Sequence, residues 1–384
     1  MDDRKTENGR PGISRRSFME CSAGALAAAL LGGSLAGCTS DLGDEIFRGK
    51  RKVTDHAGRE LTIPTVSELK KVYYTSPLAQ IYVFSLNPDV MGGTCATYNS
   101  DQLEFLPSNF ADLKSMGSLS NGGQIDQEQL MQEGIQVVFS VSGVELSASN
   151  ISDAEKLQGN TGIPVVLVDG SFTNIKEAYR FLGEILGCES RASEISAYLD
   201  RVYNDVTAAV GDIAQDQKRR LYYAEGTFGT STEPESSQHA KAFEVAGAYN
   251  VADVAESTAS FGMSNVSLEQ IIAWNPEIII SWDEETRGGA VNHIKTSTDW
   301  ASIDAVKNNR VYAMPNLPFA WCDRPNGVQR WLGIQWLANL MYPDRYDVDM
   351  VEQAKYFYQL VYHIDIDDDQ AKRILGDSYP VRKW

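Results

Sequence analysis

Ser267-Leu268-Glu269-Gln270-Ile271-Ile272 runs through Asn275-Pro276 into Glu277-Ile278-Ile279-Ile280-Ser281, and an earlier stretch follows the same plan. There, Asp126-Gln127-Glu128-Gln129-Leu130-Met131 leads through Gly134-Ile135 into Gln136-Val137-Val138-Phe139-Ser140. The two Glu-Gln pairs stand 141 positions apart, with matching offsets to the apolar run. Each unit predicts a short helix followed by a buried strand. Asp126 and Ser267 are good N-caps, and Gln129 and Gln270, three positions later, complete capping boxes. Val137-Val138-Phe139 and Ile278-Ile279-Ile280 are continuous apolar runs, as strands covered on both faces require. A repeat at this distance is too long for a solenoid. It predicts two similarly built α/β lobes.

Further strand signals fall at 71–74 and 165–168 in the first half, and at 221–224 and 311–314 in the second. Helical patterns intervene, which implies mostly parallel sheets with a ligand crevice at the C-terminal strand ends. The longest helical pattern lies between the halves. From Glu189 to about Ala214, apolar side chains at Ala192, Ile195, Leu199, Val202, Val206, Ala209, Val210 and Ile213 recur in steps of three and four. Such a helix reaches about 39 Å. A shorter helix over 174–186 precedes it, and Gly187 is placed to break the two apart. A helical connector is stiffer than a loop and restricts the lobes to small closures.

The amino terminus carries a different signal. Ser14-Arg15-Arg16-Ser17-Phe18-Met19 precedes an almost uncharged run from Cys21 to Gly37, ending in Leu35-Ala36-Gly37-Cys38. Paired arginines before a short apolar stretch read as a twin-arginine export signal, although Glu20 stands where such signals often carry a base. Leu-Ala-Gly-Cys resembles a bacterial lipobox, with Cys38 the lipidated residue after cleavage. The stretch is short and rich in Ala and Gly, which argues against a membrane-spanning anchor.

The chain of 384 residues has a formal charge of −18. That balance excludes a phosphate-tracking surface, so no nucleic-acid partner is expected. Of five cysteines, Cys21 lies in the leader and Cys38 is the lipid site; Cys95, Cys188 and Cys322 show no C-x-x-C spacing. A disulfide scaffold or a zinc site is not expected, and no pairing among the three is assigned. H-E-x-x-H, G-x-S-x-G and Walker-type motifs are absent. Glu284-Glu285 is a poor acid–base pair, because adjacent residues rarely converge on one substrate. The chain does not read as an enzyme.

Three further segments bring in a resemblance. Val53-Thr54-Asp55-His56-Ala57-Gly58-Arg59-Glu60-Leu61-Thr62-Ile63-Pro64 is one, and Glu244-Val245-Ala246-Gly247-Ala248-Tyr249-Asn250-Val251-Ala252 another. The third is Trp300-Ala301-Ser302-Ile303-Asp304-Ala305-Val306-Lys307-Asn308-Asn309-Arg310-Val311-Tyr312. In order and spacing they resemble the substrate-binding proteins of ABC importers for iron–siderophore complexes, haem and cobalamin. The resemblance implies an α/β fold of two Rossmann-like lobes with mostly parallel sheets, joined by one long α-helix, with the ligand cleft between the lobes. It implies a signal over 1–37, a lipidated linker over 38–52, an N-terminal lobe over 53–173, connecting helices over 174–216 and a C-terminal lobe over 217–384. The implied molecule is a monomer, lipid-anchored outside the cytoplasm. It captures a metal chelate of the iron–siderophore type and delivers it to a permease and its ATPase. It carries no intrinsic cofactor. Cobalamin, haem, and molybdate or tungstate are the alternatives on the same fold. Glu128 and Glu269 then become the carboxylates that dock on permease arginines; the plainer reading is a carboxylate favoured by the helix dipole.

Family ligands sit between the lobes on strand-end loops. Pro318-Phe319-Ala320-Trp321-Cys322-Asp323-Arg324-Pro325 sets an aromatic three residues before an arginine, suiting an anionic, flat-faced chelate through Trp321 and Arg324. Alternatively, Trp321 packs in the lobe and Arg324 pairs with Asp323. Tyr98, His239 and Trp282 are the other ligand candidates, each with a plain reading as a loop tyrosine, a surface histidine and a sheet cover. A haem relay would need Tyr98, His239 or His293 as axial ligand. Arg330 and Trp331 open an apolar pattern through Leu340 that reads as a packed core helix.

Overall fold

The computed structural model describes residues 49–257, 263–282 and 289–381. The leader, Cys38, most of the expected linker and the Glu284-Glu285 pair lie outside these residues. The first described residues form a hairpin whose second strand buries alternate side chains, Leu61 and Ile63. In it β1 (Lys50–Thr54) runs antiparallel to β2 (Glu60–Pro64), with Val53 opposite Leu61.

The apolar runs of the first half form a parallel sheet of β3 (Val72–Tyr74), β4 (Val137–Ser142) and β5 (Val165–Asp169), with β4 in the middle. The second half supplies β6 (Arg220–Ala224), β7 (Ser231–Thr232), β8 (Tyr249–Asn250), β9 (Ser264–Asn265), β10 (Ile278–Ser281) and β11 (Val311–Ala313). Its main sheet is parallel in the order β11-β10-β6-β8, while β7 and β9 pair antiparallel. The fold is therefore α/β, in two lobes with mostly parallel sheets.

The sequence repeat survives as structure. Helix Gln127–Gln132 feeds β4 and helix Leu268–Trp274 feeds β10, both interior strands. The caps differ. Ser267 closes a full box: its Oγ accepts from the Gln270 amide at 3.2 Å, and its own amide donates to Gln270 Oε1 at 3.0 Å. Asp126 accepts from the Gln129 amide at 3.0 Å, but its own amide already donates to the Met116 carbonyl at 2.9 Å. That donor is satisfied, so the expected second half of the box has nothing to bind.

The connecting helices are Ile175–Leu186 and Glu189–Val210, split at Gly187, whose φ of +68° suits glycine. The longer has 22 residues, about 33 Å. It stops short of Ala214 because Gly211 and Asp212 are poor helix formers. Ile195, Leu199, Val202 and Val206 are buried along its stripe, each contributing roughly 1.5–3 kcal/mol.

After β11 the chain forms helices Arg330–Met341, Met350–Tyr362 and Asp368–Leu375. The last two return to first-lobe residues. The Tyr362 ring stacks on Phe84 at 5.9 Å, Tyr358 meets Phe105 at 6.0 Å, and Arg373 pairs with Glu104 at 2.5 Å. Arg191, in the first turns of the long helix, donates to the Ser85 and Leu360 carbonyls, and His363 Nε2 lies 2.9 Å from the Phe84 carbonyl.

Candidate ligand cleft between the lobes

Parallel strands carry their connecting loops out at their C-terminal ends, and here both sheets aim those loops at one seam. Gly143 follows β4, and Phe172 lies just beyond β5. Asn326 and Trp331 oppose them from the second lobe. Phe172 stacks nearly flat on Trp331, with centroids 4.7 Å apart at 11°. Gly143 lies so near Asn326 that an added Cβ would come within 2.6 Å of its Nδ2, so the two lobes touch here. Gln102 Nε2 donates across the seam to the Pro318 carbonyl at 3.2 Å. A cavity of about 530 Å³ remains in the seam, lined among others by Gly143, Phe172, Gln238, Lys241 and Arg330. A larger groove, about 830 Å³, runs beside Arg201, Arg345 and Tyr356. It touches no strand end, and its cations are engaged: Arg345 with Asp212 at 2.5 Å, Arg201 over Tyr356 at 5.0 Å. The seam is the candidate site.

Three of the expected second-lobe residues, His239, Trp282 and Arg324, fall close together. Arg324 Nε donates to Glu225 Oε1 and Nη2 to Glu233 Oε1, both at 2.7 Å, with Asp323 at 3.4 Å. Its guanidinium lies 5.0 Å from the Trp282 ring centroid. His239 Nδ1 lies 2.6 Å from Asp323 Oδ1. Asp323, Glu225 and Glu233 are all sealed from solvent. Arg324 also adopts a φ of +54°, a strain of roughly 1–3 kcal/mol that its ion pairs over-determine. Trp321 is wholly buried in the core, as its packing alternative has it. The pairing alternative for Arg324 also holds, and extends to two glutamates that sequence reasoning did not connect with it.

Burial pushes the Glu225 carboxyl up to about 7, with Arg324 opposing the rise. Burial also raises Glu233, against Ser237 and His239. For Asp323 burial acts upward, but His239 and the two arginines Arg324 and Arg330 hold it below the ordinary range. His239 is drawn down by burial and lifted by Asp323, with a net rise.

The other expected residues lie apart from this cluster. Tyr98 is half-buried in the first lobe; its hydroxyl accepts from Gln80 Nε2 at 2.6 Å, and its ring meets Phe319 edge-on at 6.0 Å. His293 packs against Phe228 at 5.4 Å. Glu128 and Glu269 are exposed in the first turns of their helices. The Glu269 backbone amide and Ser267 hold its carboxyl below the ordinary value. Cys95, Cys188 and Cys322 are free. Among the described residues, no group of three or more His, Cys, Asp or Glu is placed to hold a metal ion, and no helix is long and apolar enough to cross a membrane.

Arg330 is the residue that sequence reasoning assigned to packing alone. It is buried, at 2% exposure, yet its Nε and Nη2 have no hydrogen-bond partner among the described residues. Burial pushes the guanidinium down to about 10, with Asp323 and Tyr82 opposing. The one signal in the sequence was an arginine heading an otherwise apolar helix, since arginine is almost never fully buried unpaired.

The sequence profile described as periplasmic binding protein matches residues 118–317, more than half the chain. The chain belongs to this periplasmic binding protein family. A stretch of 205 residues is 30% identical to the molybdate-binding protein MolA of Haemophilus influenzae, spanning 52% of this chain and 54% of that protein. An uncharacterized ABC transporter substrate-binding lipoprotein of Bacillus subtilis, YvrC, is 24% identical over 343 residues, 85% of this chain and 99% of its own length. Among solved structures, an ABC transporter solute binding protein from Sulfurospirillum deleyianum superposes with a TM-score of 0.75 at 25% identity, covering 84% of this chain and 98% of that one.

Proposed function

We propose that this periplasmic binding protein is the extracytoplasmic solute-binding component of an ABC importer. It closes its lobes on a small metal-containing solute and hands it, chemically unchanged, to a permease driven by its ATPase. The observation that carries this reading is the seam itself, where the C-terminal loops of two parallel sheets meet around a shared cavity. Twin-arginine export and lipidation at Cys38 tether the protein outside the cytoplasm. Glu128 and Glu269, exposed at equivalent places on the two lobes, dock on the permease.

A chelate of the ferric-siderophore kind is the ligand that the sequence resemblance favours. In that reading Tyr98 contacts the chelate from the first lobe. Arg324, with His239 and Trp282, shapes the opposing wall, and Trp321 packs behind it in the core. A molybdate-type oxyanion is the second reading, favoured by the 30% identity to MolA. Thermal-shift screening of the purified protein against molybdate, tungstate, ferric siderophores, cobalamin and haem tests the function, because a ligand bound only by the native state raises the midpoint by mass action. A midpoint unmoved by all of them sinks it. The docking role has its own test. Glu128→Lys with Glu269→Lys abolishes uptake in cells and leaves the purified protein's ligand affinity unchanged; a fall in affinity refutes it.

A further inference from the structure

We infer that Arg330 is the residue that binds the ligand's negative charge, and that the solute enclosed there is a compact oxyanion. The inference rests on the solute-binding reading above and deepens it. Its ground is an imbalance. A buried guanidinium without partners is destabilising, since a charged donor removed from water forfeits more than a neutral one. Folded proteins rarely keep one that nothing uses. Arg330 leaves Nε and Nη2 unmet at 2% exposure, and it lines the cavity shared by the two lobes. Asp323 acts on it electrostatically, but that carboxylate gives its close contacts to His239 at 2.6 Å and Arg324 at 3.4 Å.

The surroundings match an anion in kind. Arg330 opens a helix of 12 residues, whose N-terminus carries partial positive charge, and the N-cap Gln329 supplies no side-chain cap. The next residue, Trp331, is 3% exposed and also has an indole Nε1 without a partner. Every unmet group on these two side chains is a donor, so the complementary ligand is an acceptor. Size follows from charge and enclosure. One buried guanidinium beside a helix N-terminus suits one small anion. The rest of the cavity lining includes the exposed carboxylates of Glu145, Glu235 and Glu256 beside a Lys241–Glu244 ion pair at 2.7 Å, a net negative rim that opposes a broad polyanionic chelate. Phe172, stacked on Trp331, covers the place from the first lobe. Arg324, by contrast, is saturated by three carboxylates and offers an incoming anion a net negative neighbourhood.

Calorimetric titration of the full chain with sodium molybdate, tungstate and sulfate tests this, using the wild type, Arg330→Met and Arg330→Lys. The expected result is oxyanion binding by the wild type, weakened about 100-fold or more in Arg330→Met for the loss of two charged hydrogen bonds. Arg330→Lys restores part of it. The free Arg330→Met protein melts within a few degrees of the wild type, because Nε and Nη2 have no hydrogen bonds to lose among the described residues and only the attraction to Asp323 goes. Unchanged affinity in Arg330→Met overturns the inference. So does a free variant that melts well below the wild type, the mark of a purely structural arginine. Should Arg330→Met fail to fold, that too marks a structural arginine, and the inference falls. If a ferric siderophore binds and no oxyanion does, the ligand class inferred here is wrong while the solute-binding function stands. If nothing binds, the function itself is wrong.

Discussion

Arg324 and Arg330 lie six positions apart in one lobe, both nearly sealed from water, and they differ in company. Arg324 is gripped by Glu225, Glu233 and Asp323; Arg330 keeps two nitrogens unbonded among the described residues. Burial alone therefore says little about what an arginine is for. The first is a fastening. It gathers the loops after β6 and β11 into one wall, and the strained backbone at its own position survives because those loops hold it. The second is a group held ready, at some expense to the stability of the free protein.

The contrast breaks most sharply at Arg324. Replacing it by Met strands three buried carboxylates and should destabilise the protein by about 3–5 kcal/mol in urea unfolding. A loss below about 1 kcal/mol would make the two arginines equivalent and void the comparison.

Next in size is a pH effect on the same fastening. The Glu225 carboxyl titrates near 7 in the folded protein, against an ordinary value of 4.5. The native state therefore binds the extra proton between those values, and stability falls as pH rises through the window. His239 has the same sign: its raised value contributes stability below pH 6.5 that is lost on going alkaline. Asp323, held low, withdraws stability only below its ordinary 3.8 and plays no part here. Unfolding free energy should drop between pH 5 and pH 8 by on the order of 3 kcal/mol. Glu225→Gln should remove most of that slope, and a slope unchanged in the variant contradicts the assignment.

A smaller change sharpens the other half of the comparison. Phe172→Ala removes the stacked ring over Trp331, about 0.5–1.5 kcal/mol. Stopped-flow release of bound ligand should quicken by up to about tenfold while association barely changes. Equal release rates would mean that the stack does not hold the seam shut. Smallest is a salt effect. With a formal charge of −18 and glutamates beside the cavity, an anion approaches against the field, so its association rate should rise modestly with ionic strength. A fall would point to a cationic ligand.

Much of this architecture was legible because it rests on local patterns. The repeated helix–strand unit put β4 and β10 inside their sheets, and the three-and-four spacing marked the long helix. Its end escaped by a few residues because Ile213 continues the stripe after Gly211 and Asp212 have stopped the helix. The Asp126 box escaped for another reason. Whether Gln129 is needed depends on Met116, ten residues upstream, which no capping rule consults. The site was legible only as a neighbourhood. The loop 319–324 was singled out, but the two glutamate partners of Arg324 lie more than ninety residues earlier, and only the folded chain brings them in. Arg330 was hidden by its setting. In an apolar helix, an arginine that snorkels to water and one that stays inside unbonded are spelled the same way.

The return of residues 350–375 to the first lobe bears on how the molecule opens. A body joined to another at one point swivels freely; joined at two, it has an axis. The helix that begins at Glu189 and the tail whose Tyr362 lies on Phe84 are two such joints, with Arg191 and His363 riveting one to the other. Opening is then a rotation about a fixed line, like a book on its spine, and twisting of one lobe against the other is resisted. A solute leaves through a gap of one predetermined direction.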